Sequence, residues 1–248
     1  MPKTVRLNAV VGFTNMMLRL WQAERPGAVL VGWDTLEVPT YRHAAYESYQ
    51  SGRVFEESLL EQLALLPRVT EALGFFTAKG AGFEADDFLA AAAATWPGHV
   101  LVATSDRDAY QLAGERVTIL APTKGVSELR RIGPAEVREL YGVDPGQVPD
   151  LIALRGDPSD KLPGARGVGP KKAAELLRQY RTLEDALADG RFAAEAEDLR
   201  LFRRIAQMDA SAPLPPLADQ TPNWAEASSF FRDELGLGGV ADRLASAA

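Results

Sequence analysis

Gly82-Phe83-Glu84-Ala85-Asp86-Asp87 places three carboxylates within four positions. The stretch follows Phe75-Phe76-Thr77-Ala78, a predicted strand, and opens an apolar helical run over 88–96 that Pro97-Gly98 stops. Acids at a helix start complement the helix dipole, and one or two of them need no further explanation. Three crowded carboxylates repel one another, and a divalent cation is the usual remedy. By itself the stretch fits either reading, dipole complement or metal site; acids elsewhere in the chain bear on the choice.

The strand-then-helix order recurs on both sides. Upstream, 8–23 has apolar residues at helical spacing. Ala-Val-Leu-Val-Gly-Trp (28–33) is a continuous apolar run ending at Asp34, suited to a strand buried on both faces of a parallel sheet. Phe55, Leu59, Leu63, Leu66, Val69 and Leu73 recur every three or four residues, an amphipathic helix closed by Gly74. Between these lies 40–53, aromatic and partly basic, with no clear period. Downstream, 99–104 and 117–120 are further strands, the first running into Ser105-Asp106-Arg107-Asp108. Alternating strands and helices predict an α/β fold with a parallel sheet and right-handed crossovers. Pro-Thr-Lys-Gly (122–125) is a turn, and from Pro134 onward only helices are expected, at 134–141, 146–155, 170–180, 182–188, 193–208 and 224–235. Pro213-Leu214-Pro215-Pro216 reads as a rigid spacer within them, and the end of the chain as a frayed polar tail. The expected division is 1–122 and 123–248.

Composition narrows the chemistry. The 248 residues include no cysteine, which removes disulfides, zinc–thiolate sites and thiol nucleophiles. Two histidines make a histidine-rich metal site a poor fit. A net charge of −7 argues against a protein that simply coats nucleic acid, but not against one whose acids are neutralised by metal. With no membrane-length apolar window and no signal-peptide core, a soluble cytoplasmic protein is expected.

In open parallel sheets, ligands bind beyond the carboxyl ends of the strands. Asp34, the group Glu84, Asp86 and Asp87, and the pair Asp106 and Asp108 all fall at such ends, although far apart in sequence. Six carboxylates there cannot all ionise without counter-charge, and Mg²⁺ or Mn²⁺ prefers such oxygen donors. Two such ions roughly 4 Å apart form the usual clamp for phosphodiester hydrolysis. Taken singly, Asp34 also fits a strand-end cap and Asp106 an Asx turn.

A second motif joins two predicted helices: Leu154-Arg155-Gly156-Asp157-Pro158-Ser159-Asp160-Lys161-Leu162-Pro163-Gly164-Ala165-Arg166-Gly167-Val168-Gly169-Pro170-Lys171-Lys172-Ala173. Gly167-Val168-Gly169 before Pro170 lets a phosphate approach the backbone and the free N–H groups of a helix start. Arg166, Lys171 and Lys172 add charge, and such contacts hold a nucleic-acid backbone without reading its sequence. An ordinary glycine-rich connection between helices is the plainer alternative. Asp157 and Asp160 are out of place in a simple phosphate loop and make sense if they lean toward the metals.

Together these residues resemble the 5′-nuclease family: the 5′–3′ exonuclease domain of bacterial DNA polymerase I, its stand-alone relatives and the flap endonucleases. The likeness rests on Gly82–Asp87, on Thr104-Ser105-Asp106-Arg107-Asp108 with Gln111-Leu112, and on Gly156–Gly164 through Gly169-Pro170-Lys171. It implies a PIN-like (resolvase-like) nuclease domain followed by an all-helical domain with a helix–three-turn–helix motif. It also implies cleavage of DNA, and of RNA paired with DNA, near 5′ ends, flaps and gaps. By motif position, Asp34, Glu84, Asp86 and Asp106 lie around a first metal with Asp87 in support, and Asp108, Asp157 and Asp160 around a second. Catalytic roles fall on Arg53, Asp86 and Asp106. DNA contacts fall on Arg42, Arg53, Arg166, Gly167, Val168, Gly169, Lys171 and Lys172, with a potassium ion at the glycine turn. Arg42, Arg53, Tyr41 and Tyr49 are candidates for a gateway to the 5′ end. A monomer is expected, with a DNA polymerase as a candidate partner.

Two departures from the family pattern carry expectations. Relatives begin with a central strand bearing an Asp-Gly whose Asp is a metal ligand, and this sequence starts beyond it: either the start codon lies upstream or the strand is lacking. In its place, 28–33 and 99–103 are expected to pair with each other or be bridged. Gln50 stands where many relatives have a Lys on the scissile phosphate, and Lys161 and Lys172 replace usual polar residues. Weaker nuclease activity favouring Mn²⁺ is the expectation; the alternative is a relative that binds branched or gapped DNA without cutting. A PIN-like ribonuclease or a metal-dependent phosphatase would leave the Gly-Val-Gly turn unexplained.

Overall fold

The computed structural model describes residues 7–52, 54–123 and 128–247. The first elements are α1 (Asn8–Glu24), β1 (Leu30–Gly32), α2 (Tyr41–Ala45), α3 (Glu57–Ala72), β2 (Phe76–Ala78) and α4 (Ala85–Thr95). Then come β3 (Val100–Ala103), a 3₁₀ turn (Asp108–Leu112), β4 (Val117–Pro122) and β5 (Leu129–Ile132). Helices follow: α5 (Pro134–Tyr141), α6 (Val148–Arg155), α7 (Pro170–Tyr180), α8 (Leu183–Ala188), α9 (Ala196–Ala206), α10 (Trp224–Asp233) and α11 (Gly238–Ala245). Among the described residues, no helix is long and apolar enough to cross a membrane.

Two compact units are formed, each from separated stretches of chain. The first takes its described residues from Met1–Trp33, Arg53–Lys79 and Pro213–Ala248, the second from Asp34–Gly52 and Gly80–Ala212. In the first, β1 and β2 pair in parallel, Leu30 opposite Phe76. Its core gathers Val10, Val69, Leu73, Phe75, Trp224, Phe231 and Leu244. The expected frayed tail is instead helix α11, where Ala241 and Leu244 are fully buried and the Ser228 hydroxyl donates to the Ala241 carbonyl at 2.9 Å. Residue 220 is tied back to the start of the chain: Gln220 N–H donates to the Gly27 carbonyl, and its side chain accepts from Val29 N–H.

In the second unit, β3 and β4 are parallel and β5 is antiparallel to β4, Ile119 facing Ile132. The core is Val102, Ile119, Ile132, Val137, Leu151, Ile152, Leu154, Leu177, Leu183 and Leu199, on strands and helices alike. Strand β5 was not expected. The expected pairing of 28–33 with 99–103 is corrected too: β1 and β3 belong to different sheets, and no described strand bridges them. The backbone groups of β1 are paired in parallel with β2, and those of β3 with β4.

Two glycines fix how the chain leaves α6. A side chain at Gly156 would sit 2.7 Å from the Leu162 and Pro163 carbonyls, and one at Gly164 would strike the backbone of 155–156. Both have positive φ, +79° and +72°, so glycine is required on conformation as well as space. The close approach lets Asp157 and Leu162 exchange backbone hydrogen bonds at 2.9 and 2.8 Å, which closes a tight turn.

Candidate metal centre and nucleic-acid interface

Every sequence-predicted acid lies in the second unit. The start of α4 organises the first group. Asp87 reaches back so that its Oδ2 accepts from Glu84 N–H at 3.0 Å, closing the start of the helix. Asp34 Oδ1 accepts from Ala85 N–H at 2.8 Å, at the same helix start. The Glu84 carboxylate is held from two sides: Oε1 accepts from the Thr40 hydroxyl at 2.9 Å, Oε2 from Tyr49 at 3.0 Å. Asp86, in the first turn of α4, is left to face the other acids.

Asp106 and Asp108 follow β3. Asp106 forms the Asx turn that its spacing allows, accepting from Asp108 N–H at 2.8 Å, yet it remains exposed. Asp157 and Asp160 come from the turn after α6. Asp157 Oδ1 accepts from Ser159 and Asp160 N–H and from the Ser159 hydroxyl, and its Oδ2 lies 3.8 Å from Arg155. Asp160 Oδ1 accepts from the Gln50 amide at 2.9 Å.

Electrostatics divide these acids into two sets that meet at one residue. Asp86 is pushed up to about 7 by burial first, then by the charges of Asp106, Asp34 and Glu84, with Arg42 opposing. Asp108 is pushed up to about 8, again by burial first, then by Asp106, Asp157 and Asp160, with Arg155 opposing. Asp106 therefore presses on both. Among the described residues no three His, Asp or Glu side chains close up tightly enough to hold an ion unaided. The array is open, as suits hard cations that keep several of their own waters.

Two predicted site residues have another task. Arg42 was expected to bind DNA, but it is 3% exposed. All five of its donors are taken: Nε by the Ile205 carbonyl, Nη1 by Asp87 Oδ2 and Glu84 Oε2, Nη2 by Asp87 Oδ1 and the Gln207 carbonyl. Asp87 was expected near a metal, but it is fully buried, and both of its oxygens are filled by Arg42, Tyr41, Asp209 N–H and Glu84 N–H. The pair is a buried clamp that orients Glu84 and the start of α4, with no donor left for a phosphate. Arg53 lies outside the described residues. Tyr49 is buried in the core, and the hydroxyl of half-buried Tyr41 is spent on Asp87 and Gln207.

At the second motif, Gly167 (φ +73°), Gly169, Arg166, Lys171 and Lys172 are exposed, whereas Val168, expected with them at DNA, is buried. Gly169 caps α7, with Pro170 as its first residue. A side chain at Gly167 or Gly169 would meet nothing within 4 Å, so internal packing does not demand glycine there. Sequence reasoning missed Thr40, Tyr49 and Gln50 as the residues that orient Glu84 and Asp160. Their polar-aromatic stretch was visible, but partners 35 to 110 positions away were not.

Residues 1–142 match the family model for the 5′–3′ exonuclease N-terminal resolvase-like domain, and 143–226 match that for the 5′–3′ exonuclease C-terminal SAM fold. DNA polymerase I of Mycobacterium leprae is 46% identical over 181 residues, 71% of this chain and 20% of that protein. The thermostable DNA polymerase I of Thermus thermophilus is 38% identical over 222 residues, 84% of this chain and 26% of that protein. The chain thus spans about a quarter or less of these relatives. Among solved structures, the D15 flap endonuclease of bacteriophage T5, in a pseudo-enzyme–product complex with DNA and metal ions, superposes with a TM-score of 0.70 at 17% identity, covering 98% of this chain and 93% of its own. The catalytic core of Rad2 in complex with DNA substrate gives 0.62 at 15%, covering 97% and 85%. At those identities the likeness is one of fold. On its family matches over 226 residues, in the order resolvase-like domain then helical SAM fold, the chain belongs to the 5′–3′ exonuclease family.

Proposed function

We propose that this chain is a structure-specific 5′ nuclease that hydrolyses DNA phosphodiesters with two divalent cations, Mg²⁺ or Mn²⁺, acting on 5′ ends, flaps and gaps. The observation that carries the reading is the acid array divided at Asp106, with Asp86 and Asp108 each pushed up by a different set of neighbours. So much uncompensated negative charge, on oxygen donors alone, fits hard cations. Metal-bound forms of the T5 5′-exonuclease and DNA complexes of T5 D15 and Rad2 support the same chemistry.

Asp34, Glu84, Asp86 and Asp106 would hold one ion, and Asp108, Asp157 and Asp160 the other. Bound there, such ions lower the pKa of an attacking water and neutralise charge on the leaving oxygen. The chain's own part is placement. Thr40, Tyr49 and Arg42 fix both oxygens of Glu84, and Gln50 fixes Asp160. Arg53 is assigned to the scissile phosphate from its motif position. The open glycines 167 and 169, with Arg166, Lys171 and Lys172, are assigned to the duplex backbone, with K⁺ at the turn. In this division 1–122 carries most of the acids and 123–248 the helical DNA-binding part. RNA paired with DNA is a further substrate, a DNA polymerase a candidate partner, and the protein is proposed to act as a cytoplasmic monomer.

A second reading, binding without cutting, is favoured by the uncharged Gln50 amide lying at Asp160. The test is incubation with a labelled 5′-flap duplex in Mg²⁺ or Mn²⁺, beside Asp106→Ala. Metal-dependent cleavage lost in the variant supports the nuclease; binding with no cleavage by either protein supports the second reading.

A further inference from the structure

Lys161 is an unusual residue for its place. It has a left-handed backbone, φ +58°, in the turn between Asp157 and Leu162. That region is strained for a side-chain-bearing residue and is occupied routinely by glycine, with asparagine and aspartate next. The turn would close more easily on any of those three. Local folding therefore gives no reason for a lysine here, and its reason must lie at the other end of the side chain.

That end is exposed and lightly held. Nζ donates to the Ser51 hydroxyl at 2.9 Å, above the turn where Gly52 has φ +84°. A side chain at Gly52 would lie 3.8 Å from the amine, so the loop passes directly beneath it. Next to Ser51, Gln50 reaches Asp160 at 2.9 Å, and Asp160 is one of the acids that press on Asp108. The amine thus stands at the rim of the acid array. Two neighbouring arginines are already engaged: Arg42 has no donor left, and Arg155 lies against Asp157 with its guanidinium 5.3 Å above the Tyr141 ring.

A polyanion that reaches so acidic a site needs positive charge at the rim as well as any bound ion. We infer that Lys161 is a phosphate-contacting residue: its amine leaves the Ser51 hydroxyl and takes a phosphodiester oxygen of the nucleic acid on the Asp160 side of the site. A hydrogen bond from the ammonium to a neutral hydroxyl is exchanged for one to an anionic oxygen, in which both partners are charged and which is the stronger. This inference rests on the nuclease reading for the identity of the ligand.

The test uses a fluorescent 5′-flap DNA duplex, with binding measured across a salt series in EDTA. Lys161→Asn removes the charge and suits the left-handed turn; Lys161→Met removes the charge and keeps the stem; Lys161→Arg keeps the charge. Both neutral variants are expected to lower the salt slope by ~0.9 and to bind roughly eightfold more weakly at 0.1 M salt. Lys161→Arg is expected to keep the wild-type slope. A wild-type slope in either neutral variant would overturn the inference. Cleavage with Mg²⁺ or Mn²⁺ separates the two readings. A wild-type chain that never cuts, with the slope still falling in Lys161→Asn, overturns the nuclease reading and leaves the contact. Normal cutting with an unchanged slope overturns the contact alone.

Discussion

Arg42 shows how far a side chain's role depends on what surrounds it. Its position in an aromatic, basic stretch suggests a surface cation, and no local pattern says otherwise. The partners that bury it, Asp87 and the carbonyls of Ile205 and Gln207, lie 45 to 165 positions away. Removing one member of a buried pair leaves the other charged and unmatched, at a cost of about 3–5 kcal/mol. Arg42→Met is therefore expected to lose that much stability in urea denaturation. A loss below about 1 kcal/mol would show the clamp to be solvated. The acids were legible for the opposite reason, because crowded charge is visible in sequence without knowledge of packing. Their titration also sets a pH dependence. Asp86 and Asp108 sit at about 7 and 8, against an ordinary 3.8, so between those values the folded protein holds protons that the unfolded chain has released. The sign follows from linkage: without metal, stability falls as pH rises from about 4 to about 8. Urea midpoints in EDTA at pH 5 and pH 8 should show the fall, and Asp108→Asn should flatten it. Midpoints rising toward pH 8, in a variant-independent way, would contradict the assignment.

At the level of elements, long patterns were readable and short ones were not. Helices α1, α3 and α7 carry enough turns to show a period. Helix α2 has five residues, too few for one. Strand β5 is Leu-Arg-Arg-Ile, whose two arginines hide an edge strand that buries only its last residue fully. Helix α11 opens on two glycines in a small-residue tail, so its buried Val240, Ala241 and Leu244 read as loop. The turn between α6 and α7 was recognised by its glycines, but sequence could not divide the four between packing and ligand. The structure separates them. Gly164→Ala forces a methyl into backbone at positive φ and is expected to cost more than 1 kcal/mol. Gly169→Ala meets open space and is expected to change stability by less than about 0.5 kcal/mol while weakening flap-duplex binding. Thermal melts beside a binding titration check both, and equal destabilisation by the two alanines would erase the distinction.

Across the whole molecule, sequence order and compactness follow different lines. The alternation of strand and helix stops near residue 122, which is what a reader of sequence sees. The compact units are instead interleaved, because Trp224, Phe231 and Leu244 complete a core begun by Val10, Val69 and Phe75. Only long-range packing reveals that, and no local period encodes it. Ending the chain after Ala212 is expected to expose that core and make 7–33 and 54–79 sensitive to protease, with 80–212 remaining resistant. Proteolysis followed by mass spectrometry reads the outcome; uniform resistance would show that the first unit stands without its last helices.

The same interleaving has a consequence during synthesis. The apolar faces of α1, α3 and β2 leave the ribosome early, yet their partners α10 and α11 are translated only after the whole of 80–212. At about 5–20 residues per second the gap lasts on the order of ten seconds. Through that interval the unit bearing the acids can finish folding while the nascent first unit still waits, sticky and half built, for its closing piece.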